Sequence, residues 1–179
     1  MTAMFELAEE FVAACAVGPL IGLDLGTKTV GVAVSDRLRT VATPITTIKR
    51  KKFTADAAAI IDIMTARDIT GIVLGLPRNM DGSEGPRAQS TRAFARNMAG
   101  LTPAPILFWD ERLSTVAAER ALLEADTSRA RRAEVVDHVA AGYILQGVLD
   151  RLGHLRTEPS AMTSGNATKS KAPASRSVS

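Results

Sequence analysis

From residue 20 onward, short apolar runs alternate with longer stretches in which apolar side chains return every three or four positions. Leu20–Leu25 is continuously apolar apart from one acid, and Thr29–Ser35 alternates apolar and small residues after the turn residues Gly26–Lys28. This pattern predicts two strands joined by a tight turn. Thr40–Ile48 is rich in β-branched residues but holds Pro44, which predicts a third strand at a sheet edge or broken by the proline. Phe53, Ala57, Ile60, Ile61 and Met64 recur at helical spacing, so a helix is expected over Phe53–Arg67. Gly71–Gly75 reads as a buried strand, Leu76–Gly85 as a loop, Pro86–Met98 as a helix and Ile106–Trp109 as a second buried strand. That last strand runs into Asp110, Glu111 and Arg112. Ser114 is suited to cap a helix through Glu124. Arg131–Leu152 reads as a long helix with Val135, Val136, Val139, Ala140, Tyr143, Ile144 and Val148 largely inward.

Three strands that can pair antiparallel, followed by alternating helices and strands, predict an α/β domain: one mixed sheet with helices on its faces. The first 19 residues are expected to form an extension. Within it, Met1–Val17 reads as a short amphipathic helix with Phe5, Ala8, Phe11, Val12 and Cys15 near one face. The domain is then expected over residues 20–156. Residues 157–179 are rich in Ser, Thr, Ala, Pro and Lys, and are expected to be disordered because they have almost no large apolar side chains to offset chain entropy. No internal repeat is present.

Composition narrows the function classes. No basic n-region precedes the first apolar residues, and no apolar run approaches the roughly 20 residues needed to span a bilayer. The single cysteine excludes an intrachain disulfide. A soluble, cytoplasmic protein with no membrane partner is the expectation. A net charge of +3 permits a nucleic-acid partner without requiring one.

Three acids stand in unusual places. Asp24 interrupts an apolar strand, where a carboxylate is costly unless it is paired or binds a metal, and Gly22 and Gly26 leave the backbone open beside it. Read as structure, it pairs with a Lys or Arg or caps a turn. Glu111 ends a buried strand on the sheet edge where α/β proteins place their sites; read as structure, it belongs to a solvated charged turn with Asp110 and Arg112. Asp137 lies in the apolar part of the last helix among Ala133, Ala140, Ala141 and Gly142, small residues that let a helix approach a sheet; read as structure, it pairs with Arg131 or Arg132. Together the three could supply the oxygen ligands that Mg²⁺ prefers in phosphodiester cleavage.

The sequence blocks Ile21–Lys28 with Val30–Asp36, Leu74–Gly82, Asp110–Thr115 and Val136–Ala141 resemble, in order, those of the YqgF (RuvX-like) family. The resemblance covers roughly Leu20 to Asp150. It implies a ribonuclease H-like fold of the Holliday-junction-resolvase type, and a nuclease that processes the 5′ end of precursor 16S ribosomal RNA in ribosome biogenesis. An older reading of the same family is a resolvase of DNA junctions. The family's acids fall on Asp24, Glu111 and Asp137, with Mg²⁺ or Mn²⁺ as cofactor and structured RNA or branched DNA as partner. The second acid that junction resolvases proper carry three residues after the helical one is Ala140 here.

Among supporting residues, Lys28 either contacts a phosphate or tops a turn. Arg112 either holds Glu111 or touches substrate. Arg78 and Asn79 sit in a glycine-bearing loop that could cover substrate or be ordinary surface. The run Lys49–Lys52 suits phosphate contacts or a solvated face. His138 is read as structural, Ser114 as a cap, and Phe108 and Trp109 as core. Two other functions compete. Asp24–Lys28 also resembles the first phosphate loop of the actin and sugar-kinase ATPases, although the chain is short for their two domains. A non-catalytic RNA-binding assembly factor with the same fold is the other.

Overall fold

A computed structural model of the chain describes residues 2–113 and 129–157. The predicted Ser114 cap, the helix through Glu124, the tail beyond Thr157 and the side chains of Arg131, Arg132, Val135 and Val136 lie outside the described residues. The elements are β1 (Met4–Phe5), α1 (Ala8–Ala14), β2 (Leu20–Leu25), β3 (Thr29–Ser35), β4 (Ala42–Lys49), α2 (Phe53–Ala66), β5 (Gly71–Leu76), α3 (Pro86–Ala99), β6 (Ile106–Asp110), a 3₁₀ turn (Glu111–Leu113) and α4 (Arg129–Thr157). Six strands form one mixed sheet in the order β1-β6-β5-β2-β3-β4.

Strands β1, β6, β5 and β2 run parallel, while β3 and β4 are antiparallel to their neighbours. The central strands β2 and β5 are buried along their whole length, as continuous apolar runs covered on both faces should be. On one face, α2 and α3 pack on Leu23, Leu25, Val32, Ile72, Leu74, Ile106 and Phe108. On the other, α4 and α1 cover Leu20, Ala33, Val73, Leu107 and Trp109. The inward side of α4 is Ala140, Ala141, Ile144, Leu145, Val148, Leu149 and Leu152, with Val139 and Tyr143 half-buried.

Pro44 is accommodated as expected on the edge strand β4. The ladder shifts register between Val32 and Ala33, so that Ile45 is the extra residue and the proline's missing N–H breaks no interior bond. The N-terminus departs from the sequence reading. Only Ala8–Ala14 is helical, and Met4–Phe5 pairs with Ile106–Leu107 as the sheet's other edge strand. An open β6 edge offers unpaired backbone groups that a local helix signal cannot foresee. Phe11 is completely buried under the sheet, so the extension contributes to the core. No helix among the described residues is long and apolar enough to cross a membrane.

Candidate active site

Because β2, β5 and β6 are parallel, their C-terminal ends meet at one end of the sheet. That end carries the Gly26–Lys28 turn, the 77–85 loop and the turn at Glu111. Asp24, 3% exposed, pairs across the antiparallel ladder with Gly31 of β3. On its other side, one residue past the last ladder pair Leu23–Leu74, stands Gly75 of β5. The acid is therefore flanked in the sheet by two residues without side chains.

Both glycines are occupied from above. A Cβ on Gly31 would collide with the Asp137 carbonyl and lie 2.9 Å from the His138 backbone nitrogen, so α4 rests directly on β3 at that point. A Cβ on Gly75 would lie 2.5 Å from Ile144 Cδ1 and 2.8 Å from Glu111 Oε1. One absent side chain brings the Asp137 peptide down beside Asp24, and the other leaves room for the Glu111 carboxylate to lean over β5. Thr29 at the start of β3 donates its hydroxyl to the Asp137 carboxylate, and His138 meets the Thr47 hydroxyl at 3.0 Å, the structural role expected of it.

The three acids thus stand around one row, Gly31–Asp24–Gly75. Among the described residues no three acidic, His or Cys side chains are close enough to grip one ion together. The donor chemistry nevertheless fits a hard cation, since every donor is a carboxylate oxygen. Mg²⁺ ordinarily takes only one or two protein carboxylates and fills its remaining positions with water and phosphate oxygens.

The cations named from the sequence divide sharply. Arg112 is committed to Asp110, with Nη2 at 2.7 Å from Oδ2, and this contact holds the Asp110 carboxyl below the usual carboxylate range. Arg78 donates to Glu6 at 3.0 Å and lies 3.5 Å from Glu84. Arg92, not foreseen, bonds Glu84 and Glu6 and stacks its guanidinium 4.7 Å from the Phe108 ring centre. Its hydrogen bonds are the main reason that Glu6 and Glu84 are held below their ordinary values. Asn79 spends its amide on the Ser83 hydroxyl at 2.9 Å, inside a loop closed by Gly82 N–H to Asn79 O. Lys28 is exposed, and its ammonium has no protein partner among the described residues.

Sequence reasoning missed Thr29, Gly31, Gly75 and Arg92. A glycine directly opposite a buried acid was visible in principle, but its meaning depends on the strand register. Phe108 and Trp109 are core, as read. Asp81 and Gly82 lie in the loop after β5, off any strand, where the second phosphate loop of an ATPase could not form.

Residues 18–151 match the profile of a family described as "RuvX: Holliday junction resolvase". A relative from Cereibacter sphaeroides is 71% identical over 157 residues, covering 87% of this chain and 98% of its own. One from Paracoccus denitrificans is 75% identical over 142 residues, covering 79% and 90%. Both carry the name "Putative pre-16S rRNA nuclease". Among solved structures, Thermus thermophilus RuvC in complex with a Holliday junction substrate superimposes with a TM-score of 0.50 at 12% identity, over 76% of this chain and 96% of that one. That likeness is one of fold, and it bears out the ribonuclease H-like architecture expected from the sequence.

Proposed function

The chain belongs to the RuvX family of Holliday junction resolvases, and from that membership we propose that it is a metal-dependent endonuclease that trims the 5′ side of precursor 16S rRNA in the cytoplasm. The observation that carries the reading is the Gly31–Asp24–Gly75 row. Two glycines in register with a buried acid let a second acid's peptide and a third acid's carboxylate close in on it. A structural Asp needs no such clearance on both sides.

Asp24, Glu111 and Asp137 are the residues from which the one or two carboxylate ligands of a divalent ion, Mg²⁺ or Mn²⁺, would come. When bound, it supplies the Lewis acidity that phosphodiester hydrolysis requires. Asp24 is buried and paired with Gly31 in the β2–β3 ladder, so its strand fixes the place of its carboxylate. The Thr29 hydroxyl orients Asp137. Lys28, exposed on the turn beside them, offers a positive charge to the substrate phosphate. Arg78 and Arg112 act indirectly, through the carboxylates that they hold, by keeping the loop and turn around Glu111 in place.

The test is cleavage of precursor 16S rRNA and a four-way DNA junction side by side, with Mg²⁺, with Mn²⁺ and with chelator. Cutting of the RNA with either ion and none with chelator is expected, and chelator should lower the melting temperature, because an ion that binds the buried Asp24 of the folded chain stabilises the fold. Asp24→Asn should abolish cleavage and keep RNA affinity within about twofold, since phosphate contacts rest on basic residues. The family description favours keeping the junction arm. Cutting of DNA alone would replace the RNA reading with the resolvase one. No cutting of either, with RNA bound, would leave the assembly-factor reading.

A further inference from the structure

Successive residues of a strand face opposite sides of a sheet. Asp24 therefore faces α4, and Leu25 beside it packs with α2 and α3. On that second side, just past the end of β2, lies a cleft of about 510 Å³. Its walls are the Gly26–Thr27 turn, Arg50 and Lys51 after β4, and Arg87 and Ser90 in the first turns of α3. The turn that carries the candidate active site on one side is thus the rim of this cleft on the other.

The cleft is built, and its charge is not spent. Asp56, 3% exposed, accepts the Lys51 backbone N–H at 2.9 Å and lies 4.0 Å from Arg50 Nε. Arg50 Nη1 in turn donates to the Gly26 carbonyl at 2.7 Å, and its backbone N–H to the Lys28 carbonyl. These bonds tie the start of α2 to the Gly26–Lys28 turn and set the wall from which Lys51 projects. Thr91, buried in the floor, donates to the Arg87 carbonyl at 3.0 Å. Lys51 and Arg87 are both exposed, and among the described residues neither head group has an acidic partner. Arg78, Arg92 and Arg112 are all occupied by carboxylates. A cation with an acid already in place must exchange one partner for another to bind a phosphate, whereas Lys51 and Arg87 need release only water and counterions.

We propose that this cleft binds a backbone phosphate of the RNA substrate beyond the one being cut, with Lys51 and Arg87 as the phosphate-binding cations. The strand runs from the carboxylates across the Gly26–Thr27 turn into the cleft. This rests on the nuclease reading above and deepens it. It also selects Lys51 from the basic run Lys49–Lys52 and adds Arg87, a position that no sequence block singled out.

The experiment titrates a labelled single-stranded RNA spanning the 5′ precursor junction of 16S rRNA with the full chain carrying Asp24→Asn, in Mg²⁺, over about 0.05 to 0.2 M salt. Adding Lys51→Ala with Arg87→Ala should weaken binding about tenfold near 0.1 M salt. It should also make the slope of log K against log salt shallower by about 0.7, because the one phosphate charge left unneutralised on a single strand removes roughly that much. Arg67→Ala with Arg96→Ala makes the same change in net charge at the other ends of α2 and α3, and should leave the slope unchanged. Circular dichroism should show all variants folded, because the altered side chains are exposed. Parental affinity and slope in the Lys51/Arg87 variant, or an equal loss in the Arg67/Arg96 variant, would overturn the cleft while leaving the nuclease reading intact. No binding by the Asp24→Asn parent itself would overturn both.

Discussion

Gly31→Ala tests whether the meeting of helix and sheet builds the acid cluster. The added methyl would point into the α4 backbone, 2.9 Å from the His138 nitrogen and closer still to the Asp137 carbonyl. Ordinary contact begins near 3.4 Å, so the α4 backbone must retreat by at least about 0.5 Å at that atom (3.4 less 2.9) and further at the carbonyl. Backbone cannot swing aside as a flexible side chain does, and α4 is held against the sheet in the turns that follow the contact by Ala140, Ile144 and Val148. Overpacking of this kind costs about 2–3 kcal/mol. For a chain of this size that is a fall in melting temperature of about 4–12 °C. The displaced peptide is the one that carries Asp137, so the cleavage rate should fall about a hundredfold, the usual consequence of roughly ångström-scale misplacement of a catalytic group. RNA affinity should be kept. Thermal unfolding by circular dichroism and single-turnover cleavage of precursor rRNA read the two effects. Gly153→Ala is the control on the same helix: its methyl meets nothing within 4 Å, so it should stabilise by about 0.5–1 kcal/mol with cleavage unchanged. A Gly31→Ala protein that melts and cuts like the parent would refute the claim that α4 is seated on bare backbone beside Asp24.

Arg92→Leu removes one side of the Glu6–Arg92–Glu84 contacts and the stacking on Phe108. With partly exposed pairs worth under about 1 kcal/mol each, and the cation–π contact about as much, a loss of about 1–2 kcal/mol is expected, with faster hydrogen exchange at Phe5 as its local sign. The Cys15 thiol is pushed up from 9.0 to about 11 by burial. Its thiolate fraction near neutral pH is therefore about a hundredfold below that of a free thiol, and iodoacetamide should label the folded chain correspondingly slowly; labelling at the free-thiol rate would contradict the packing around α1. Asp36 is held at about 2, from 3.8, by hydrogen bonds from the Val41 N–H, the Thr40 hydroxyl and the Thr40 N–H. A lowered carboxylate contributes fully above its unfolded value and loses that contribution as pH falls through the folded one. The stability gap between the parent and Asp36→Asn should thus be constant above about pH 4 and close between about 4 and 2, as urea midpoints measured across that range would show.

Much of the architecture was legible because burial leaves a period in the sequence. Leu20–Leu25 read as a strand and Gly71–Gly75 as a buried one since strands covered on both faces are continuously apolar, and Pro44 announced an edge or a break because it cannot donate to a ladder on both sides. The acids were legible as anomalies for the same reason: Asp24 stands where only apolar residues are inexpensive. Met4–Phe5 was not, because two residues of strand have no period and exist only where β6 leaves an edge open.

What the sequence determined alone is the inventory: which segments bury themselves, which acids lie inside them, and which cations are available. Which of those cations are free was decided in three dimensions, where Glu6, 72 and 86 residues along the chain from the arginines it meets, claims Arg78 and Arg92, and no acid claims the head group of Lys51 or Arg87 among the described residues. The closeness of Asp24 to Asp137 was decided there too. It depends on a register that sets Gly31 against Asp24 and on a helix crossing at that residue. Register and crossing point are settled by the packing of the whole core, and that packing is a sum over many weak attractions that no single stretch of chain contains.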